Sequence, residues 1–239
     1  MLQGIMRSDA SPSPASFFNR EMADRYDRAN SALKPISDCL HFLMRLALAR
    51  VPENARVLCV GVGTGAEILA LADQRPHWTF VGVDPAPEML EVARHRLAEA
   101  GVIDRCELVE GYAEDVTDSG FDVVISLFVA HFVQREDRPA FYRAIHDRLA
   151  QGGRFVSAEI SANLDAPQFP AMLEDWKQVQ SLMGASAESL ASLEETLRNV
   201  LGVVGPEDTE ALWRDAGFVL PVPFYQAFMI RGWHGLKSA

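Results

Sequence analysis

The stretch that constrains this chain most is residues 56–72, where the apolar run RVLCV turns through GVGTG into the helical pattern AEILALA. A run without polar interruption reads as a strand buried on both faces, and such strands belong to parallel sheets sandwiched between helices. Gly61, Gly63 and Gly65 occupy the turn, where the missing Cβ atoms let the backbone bend sharply and approach a ligand closely. The rhythm then repeats, with a strand predicted at 78–83, a turn at 84–87 and a helix over 88–100 stopped by Gly101. Further strands are expected at 106–110, 121–127 and 154–159. A helix over 137–150, capped by Gly152 and Gly153, separates the last two. Strands alternating with crossover helices imply a doubly wound, mostly parallel sheet, because parallel neighbours need long connections.

Both flanks depart from this rhythm. Residues 17–48 show helical spacing through Phe17, Phe18, Met22 and Tyr26 and again through Leu40, Leu43, Met44 and Leu48, which predicts two leading helices, the second ended by Pro52. Residues 161–205 replace the next strand with helical stretches at 172–183 and 186–200. A helix over 206–216 follows, with Pro206 at its start and Gly217 past its end. Two apolar segments, 218–222 and 224–231, then read as a closing antiparallel hairpin. The expectation is one α/β domain over 1–239, a Rossmann-like seven-stranded sheet with an N-terminal helical cover at 15–50 and a helical insertion at 161–205.

Composition limits the partners. The 239 residues carry a formal net charge of −11, and their Lys and Arg residues are scattered, which argues against extended nucleic-acid binding and favours a small-molecule substrate. Cys39, Cys59 and Cys106 are widely spaced and read as reduced core thiols, with no metal-ligand spacing around them. No apolar stretch is long enough to span a bilayer, and the first fourteen residues lack a signal-like apolar core, so no membrane partner and a cytoplasmic location are expected. The apolar helical insertion suits a homodimer.

Acids at the carboxyl edge of the sheet supply the first chemistry. Asp84 follows the second strand, where a carboxylate can accept both hydroxyls of a ribose; its alternative use is to cap the following helix. After the third strand, Gly111, Tyr112, Ala113, Glu114 and Asp115 bring two carboxylates to the same edge, suited to an adenine amino group. The glycine turn alone is ambiguous, since Gly61, Gly63 and Ala66 also fit the GxGxxG/A pattern of dinucleotide enzymes.

In order and spacing, VLCVGVGTG at 57–65, VGVDPAPEML at 81–90, EGYAEDV at 110–116, FDVVISLFVAHF at 121–132 and LAQGGRFVSAEI at 149–160 resemble the successive motifs of class I S-adenosylmethionine (SAM)-dependent methyltransferases. The resemblance spans about Arg56 to Ile160. It implies SAM as cofactor and S-adenosylhomocysteine (SAH) as product. Gly61, Val62, Gly63 and Gly65 would then lie against the methionine portion and Asp84 would hold the ribose. Pro85 and Met89 would flank the adenine, with Tyr112, Ala113 and Glu114 or Asp115 at its polar edge. Leu127 and Phe128 would line the sulfonium region, and FFNREMADRYD at 17–27 resembles a helix that closes over the cofactor, with Tyr26 as its contact.

Methyl transfer needs alignment more than acid–base chemistry, because the sulfonium already activates the methyl group. Should the acceptor have to lose a proton, His131, just beyond the fourth strand, and Glu159, at the end of the fifth, are the candidate bases; packing is the alternative for each. Phe132, Trp176 and Tyr225 are candidate pocket residues, aromatic rings suited to a partly wet site.

Other assignments compete. RNVLGVVGPEDTEALWRDAGF at 198–218 and YDRANS at 26–31 resemble the carboxy-SAM synthase family of tRNA wobble-uridine modification, which uses an arginine of the inserted region to hold the extra carboxylate. An ungapped alignment on Asn199 places Glu194 at that position, where it would repel a carboxylate; a shifted one brings Arg198 there. An NAD-dependent oxidoreductase fits the glycine turn but lacks a Tyr-xxx-Lys pair. A noncatalytic SAM-binding protein is the third alternative.

Overall fold

The computed structural model describes residues 31–238. The apolar runs become a seven-stranded sheet: β1 (Arg56–Val60), β2 (Thr79–Asp84), β3 (Cys106–Glu110), β4 (Phe121–Leu127), β5 (Leu149–Ile160), β6 (Phe218–Ala227) and β7 (Ile230–Lys237). Their order is β3-β2-β1-β4-β5-β7-β6. β1 to β5 run parallel, while β7 is antiparallel to both β5 and β6. The helices are α1 (Lys34–Ala47), α2 (Ala66–Ala72), α3 (Pro87–Glu99), α4 (Arg138–Arg148), α5 (Phe169–Leu182), α6 (Ala187–Ala191), α7 (Leu193–Asn199) and α8 (Pro206–Ala216).

Alternation along the strands divides the core in two. Val57, Cys59, Val123 and Ile125 pack on one face with Leu40, Met44, Ile68, Leu71 and Leu97. Leu58, Val60 and Val124 pack on the other with Tyr142, Phe155, Trp213 and Phe218. Each residue step turns the side chain to the opposite face, so a continuous apolar run fills both layers. On the second face, Phe155 lies 4.3 Å from Trp213 and 5.1 Å from Phe218, ring centre to ring centre, within the range where aromatic pairs add to burial.

The chain builds β1, β2 and β3 outward in one direction and returns to place β4 on the other side of β1. That reversal opens a crevice beyond the carboxyl ends of β1 and β4, the usual ligand position in open α/β sheets.

Four expectations need correction, the simplest being Cys39, which is exposed and not a core thiol. β5 begins at Leu149, not at 154: Gly152 and Gly153 do not cap a helix but lie inside the strand, at the register shift between Phe121 and Val123 of β4. Gly152 takes φ +73° there, which glycine adopts without strain. The hairpin is longer than 218–231, because β6 continues through Pro221 and Pro223 and the chain turns at Phe228 and Met229. Proline is tolerated in β6 because β6 is the edge strand of the sheet. The second leading helix ends at Ala47, ahead of Pro52. The 17–27 element and Tyr26 lie outside the described residues.

Candidate functional site

At the end of β1 the chain makes a glycine turn with three left-handed residues, Gly61, Gly63 and Gly65, at φ +68°, +50° and +77°. The Gly61 and Val62 amides donate to the carbonyl of Val83, tying the turn to β2. A Cβ on Gly61 would overlap the Val129 side chain, and one on Gly63 would come within 3.4 Å of Met89 Cε. Gly61 therefore lets the loop after β4 approach the turn through Val129, and Gly63 lets Met89 of α3 approach it from the other side. Gly65 differs: its missing Cβ faces Ala93 and Leu97 of α3, so it serves helix packing. Val62 is buried in the core and can offer a ligand only backbone.

Asp84 ends β2 beside this turn. One carboxylate oxygen accepts the Gly63 amide at 2.9 Å and the other accepts the Ala86 amide at 2.9 Å. Both suggested uses coexist, because the bond to Ala86 braces the start of α3 while each oxygen keeps further acceptor capacity. Burial raises the Asp84 pKa above the usual aspartate value, and the two amide bonds oppose that rise. Pro85 is half-buried and Met89 is buried next to Gly63. After β3, Ala113 is buried while Glu114 and Asp115 are exposed. One Asp115 oxygen accepts the Tyr112 amide at 2.8 Å and so closes its own turn. The side chains of this edge leave a cradle above β1 and β2 with the carboxylates and small residues that an adenosine and an amino-acid tail require, so the residues fit SAM.

Leu127 closes β4 and is buried; Phe128 follows at φ +60°, a conformation costly for a bulky residue, with its amide bonded to Ala158 at 2.6 Å. His131 and Phe132 lie in the next turn, their rings 4.5 Å apart. His131 is buried; its Nδ1 accepts the Ile160 amide at 3.4 Å and its carbonyl accepts the Gly202 amide at 2.8 Å. Burial first, then the charge of Arg138, pushes its pKa down to about 3. The unperturbed value that made it a candidate base does not apply to it here.

Glu159 is fully buried in an ion pair with Arg138, and Tyr142 and Thr209 donate to its other oxygen. Arg138 also donates to the carbonyls of Val133 and Gly202. One guanidinium thus joins α4, β5, the loop after β4 and the segment leading to α8. Desolvation raises the Glu159 pKa, and Arg138 opposes the rise. Trp176 is buried with Phe169, Leu173 and Val179, and the Tyr225 hydroxyl donates to Ile36 O at 3.0 Å, so both rings contribute to the core.

Sequence reasoning missed three charged residues. Arg96 of α3 donates to Thr64 O and Oγ1, clamping the glycine turn. Arg138 organises the far side of the crevice. Glu67 is buried in the first turn of α2, and its signal was available: it sits four residues before Leu71, on the buried stripe of AEILALA. In the insertion, a cavity of about 570 Å³ is lined by residues including Leu164, Phe169, Leu173, Glu194 and Arg198. Arg198 bonds Glu194, Asp165 and Leu164 O and lies over the Phe169 ring.

Comparison with known proteins agrees with this geometry. The family described as a methyltransferase domain matches residues 57–153. Among curated relatives, the carboxy-S-adenosyl-L-methionine synthase of Campylobacter lari is 25% identical, over 75% of this chain and 76% of its own. That of Dichelobacter nodosus is 24% identical over 92% of each. Among solved structures, an O-methyltransferase family protein from Burkholderia thailandensis superposes with a TM-score of 0.72 at 18% identity, covering 98% of this chain and 66% of that one. A structure named PigF with SAH superposes at 0.57 and 21% identity, covering 76% of this chain and 50% of that one. The structural likenesses speak to the fold. Among the described residues no helix is long and apolar enough to cross a membrane. Residues 57–153 thus match a methyltransferase domain, and by motif order and sheet topology the chain is similar to class I S-adenosylmethionine-dependent methyltransferases, which supports S-adenosyl-L-methionine as the cofactor.

Proposed function

We propose that this protein transfers the methyl group of SAM to a small-molecule acceptor. The observation that carries the reading is Asp84, whose two oxygens are oriented by the Gly63 and Ala86 amides beside left-handed glycines at the topological switch of the sheet. In this reading the glycine turn lies along the methionine portion and Asp84 holds the ribose. Pro85, Met89, Tyr112, Ala113 and one of the two following acids surround the adenine. Glu114 is the better partner for the adenine amino group, because an Asp115 oxygen already closes the turn.

SAM, when bound, supplies a methyl group already activated by its sulfonium. The chain's own work is to align the acceptor behind that carbon and keep water out. Leu127, Phe128 and Phe132 form the wall from which this is done. Positioning of this kind is worth roughly 7 to 11 kcal/mol of barrier. His131 holds the loop after β4 to the segment at Gly202 and does not serve as base, and Glu159 is spent on Arg138. An acceptor with an available lone pair fits a site of this kind, since a nitrogen or sulfur nucleophile needs no dedicated base.

A second reading is a carboxy-SAM synthase-like enzyme, favoured by the names of the curated relatives and by Arg198 at the cavity of the insertion. Glu194 and Asp165 already neutralise that arginine, which favours ordinary SAM. Calorimetric titration with SAM, SAH and NAD, followed by mass spectrometry of the ligand carried by purified protein, tests both readings. Binding of SAM and SAH with NAD inert, and unmodified SAM or SAH recovered, supports methyl transfer. Recovery of a carboxylated SAM replaces it with the second reading, and binding of NAD alone removes both.

A further inference from the structure

Among the described residues, Glu67 is a buried acid beside the glycine turn to which the cofactor reading gives no task. It follows Gly65 by two residues, in the first turn of α2, and is buried with 5% of its surface exposed. Among the described residues, no cationic side chain forms an ion pair with it. The charged and titratable groups acting on it come from three neighbouring elements: Asp84 at the end of β2, Arg96 of α3 and Cys59 of β1. The Glu67 and Asp84 carboxyls are thus close enough to act on each other; Asp84 accepts from the Gly63 and Ala86 amides, whereas Glu67, among the described residues, accepts only from its own backbone amide. A buried carboxyl without a paired cation is costly in its charged form, and the cost falls when a cation arrives. The turn it adjoins is the portion of the site assigned above to the methionine end of the cofactor, which carries an ammonium group.

We propose that Glu67 is a cofactor-site residue whose carboxyl supplies the counter-charge to the ammonium of the bound ligand. The inference rests on the SAM reading and adds to it a residue and a proton.

Without ligand the group is held mostly protonated at neutral pH, because burial first and then the charge of Asp84 push its pKa up to about 8, against the pull of its own backbone amide and a weaker one from Arg96. An ammonium placed beside it lowers that pKa, so binding expels a proton into solvent. The sign follows from linkage: where binding releases a proton, affinity rises with pH up to about 8, above which the ligand's own α-ammonium begins to lose its proton and the rise ends. The slope approaches about tenfold per pH unit below that point. A mere packing role for Glu67 predicts no such slope.

The experiment is calorimetric titration of the intact protein with SAM, SAH and 5′-methylthioadenosine, which lacks the amino-acid tail. Each titration is run at pH 7 in buffers of different ionisation enthalpy and then across pH 6 to 9. SAM and SAH are expected to release a proton, and methylthioadenosine to bind without release. Glu67→Gln is expected to fold with an unchanged circular dichroism spectrum, to match the wild-type affinity for SAM near pH 6, and to fall about tenfold or more below it at pH 8.5. The inference is overturned by SAM binding without proton release, by equal release with methylthioadenosine, or by a Glu67→Gln variant that keeps the wild-type pH profile. Should Glu67→Gln misfold, the wild-type comparison of SAH with methylthioadenosine still decides. Failure of all three ligands to bind would instead remove the cofactor reading on which this one stands.

Discussion

Asp84 and Glu159 both stand at the carboxyl edge of one sheet, yet their surroundings give them opposite uses. Asp84 ends β2 with each oxygen oriented by a backbone amide and with room left to accept from a ligand. Glu159, near the end of β5, is closed in by Arg138, Tyr142 and Thr209 and has no exposed surface. The β1 and β2 side uses left-handed glycines and backbone amides to shape a turn and orient a carboxylate beside it. The β5 side uses an ion pair and a stack of Tyr142, Phe155, Trp213 and Phe218 for close packing. An acid at a strand end is therefore not a reactive group by position alone. What donates to it, and whether any acceptor capacity remains, decides.

The largest expected effect lies on the closed side. Arg138→Met leaves Glu159 buried without its cation and should cost about 3 to 5 kcal/mol of stability, read by denaturant unfolding. Adding Glu159→Gln should recover part of the loss, and a single variant as stable as wild type would erase the distinction between the two sides. Next comes Gly61→Ala on the β1 and β2 side. The new methyl group would require both a left-handed alanine and displacement of Val129, so a loss of roughly 1 to 3 kcal/mol is expected, with SAM binding weakened as well.

His131 sharpens the comparison through pH. Its folded pKa of about 3 lies below the ordinary histidine value of about 6.5, so protons favour the unfolded chain. Stability should fall as pH drops from about 6.5 toward 3, and His131→Gln should flatten that part of the curve. The turnover profile should show no His131 ionisation near neutrality, and such a step, lost in His131→Gln, would restore the residue as a base. The smallest effect is expected at Arg198→Ala, whose pairs with Glu194 and Asp165 are screened by solvent, so thermal unfolding should shift little.

Much of the fold was legible because its cues are local. The strands at 106–110 and 121–127 and the helix from Pro206 to Ala216 have the predicted limits, set by apolar runs, a proline start and a left-handed Gly217 at the end. The misreadings arose where tertiary pairing overrode a local cue. Gly152 and Gly153 look like helix caps, but pairing with β4 draws them into β5; Pro221 and Pro223 look like turn residues, but an edge strand tolerates them.

In the site, the glycines and Asp84 were visible because backbone geometry demands those residue types at that spacing. Glu67, Arg96 and Arg138 were not singled out. Their partners lie on segments 17 to 64 residues away, and periodicity carries at most the burial of Glu67, not what it meets. The chemistry of His131 was equally hidden, since its depressed pKa comes from burial and from an arginine that only the fold brings near.

The central claim is that the β1 and β2 side of the sheet grips SAM through Asp84. Calorimetric titration of SAM into wild-type protein and Asp84→Asn, with folding confirmed by thermal unfolding, tests it most directly. The account predicts saturable binding by wild type and an affinity at least about tenfold lower in the variant, the order expected for losing a charged hydrogen-bonding group. Equal affinity in the two proteins, or no binding by wild type, would contradict it.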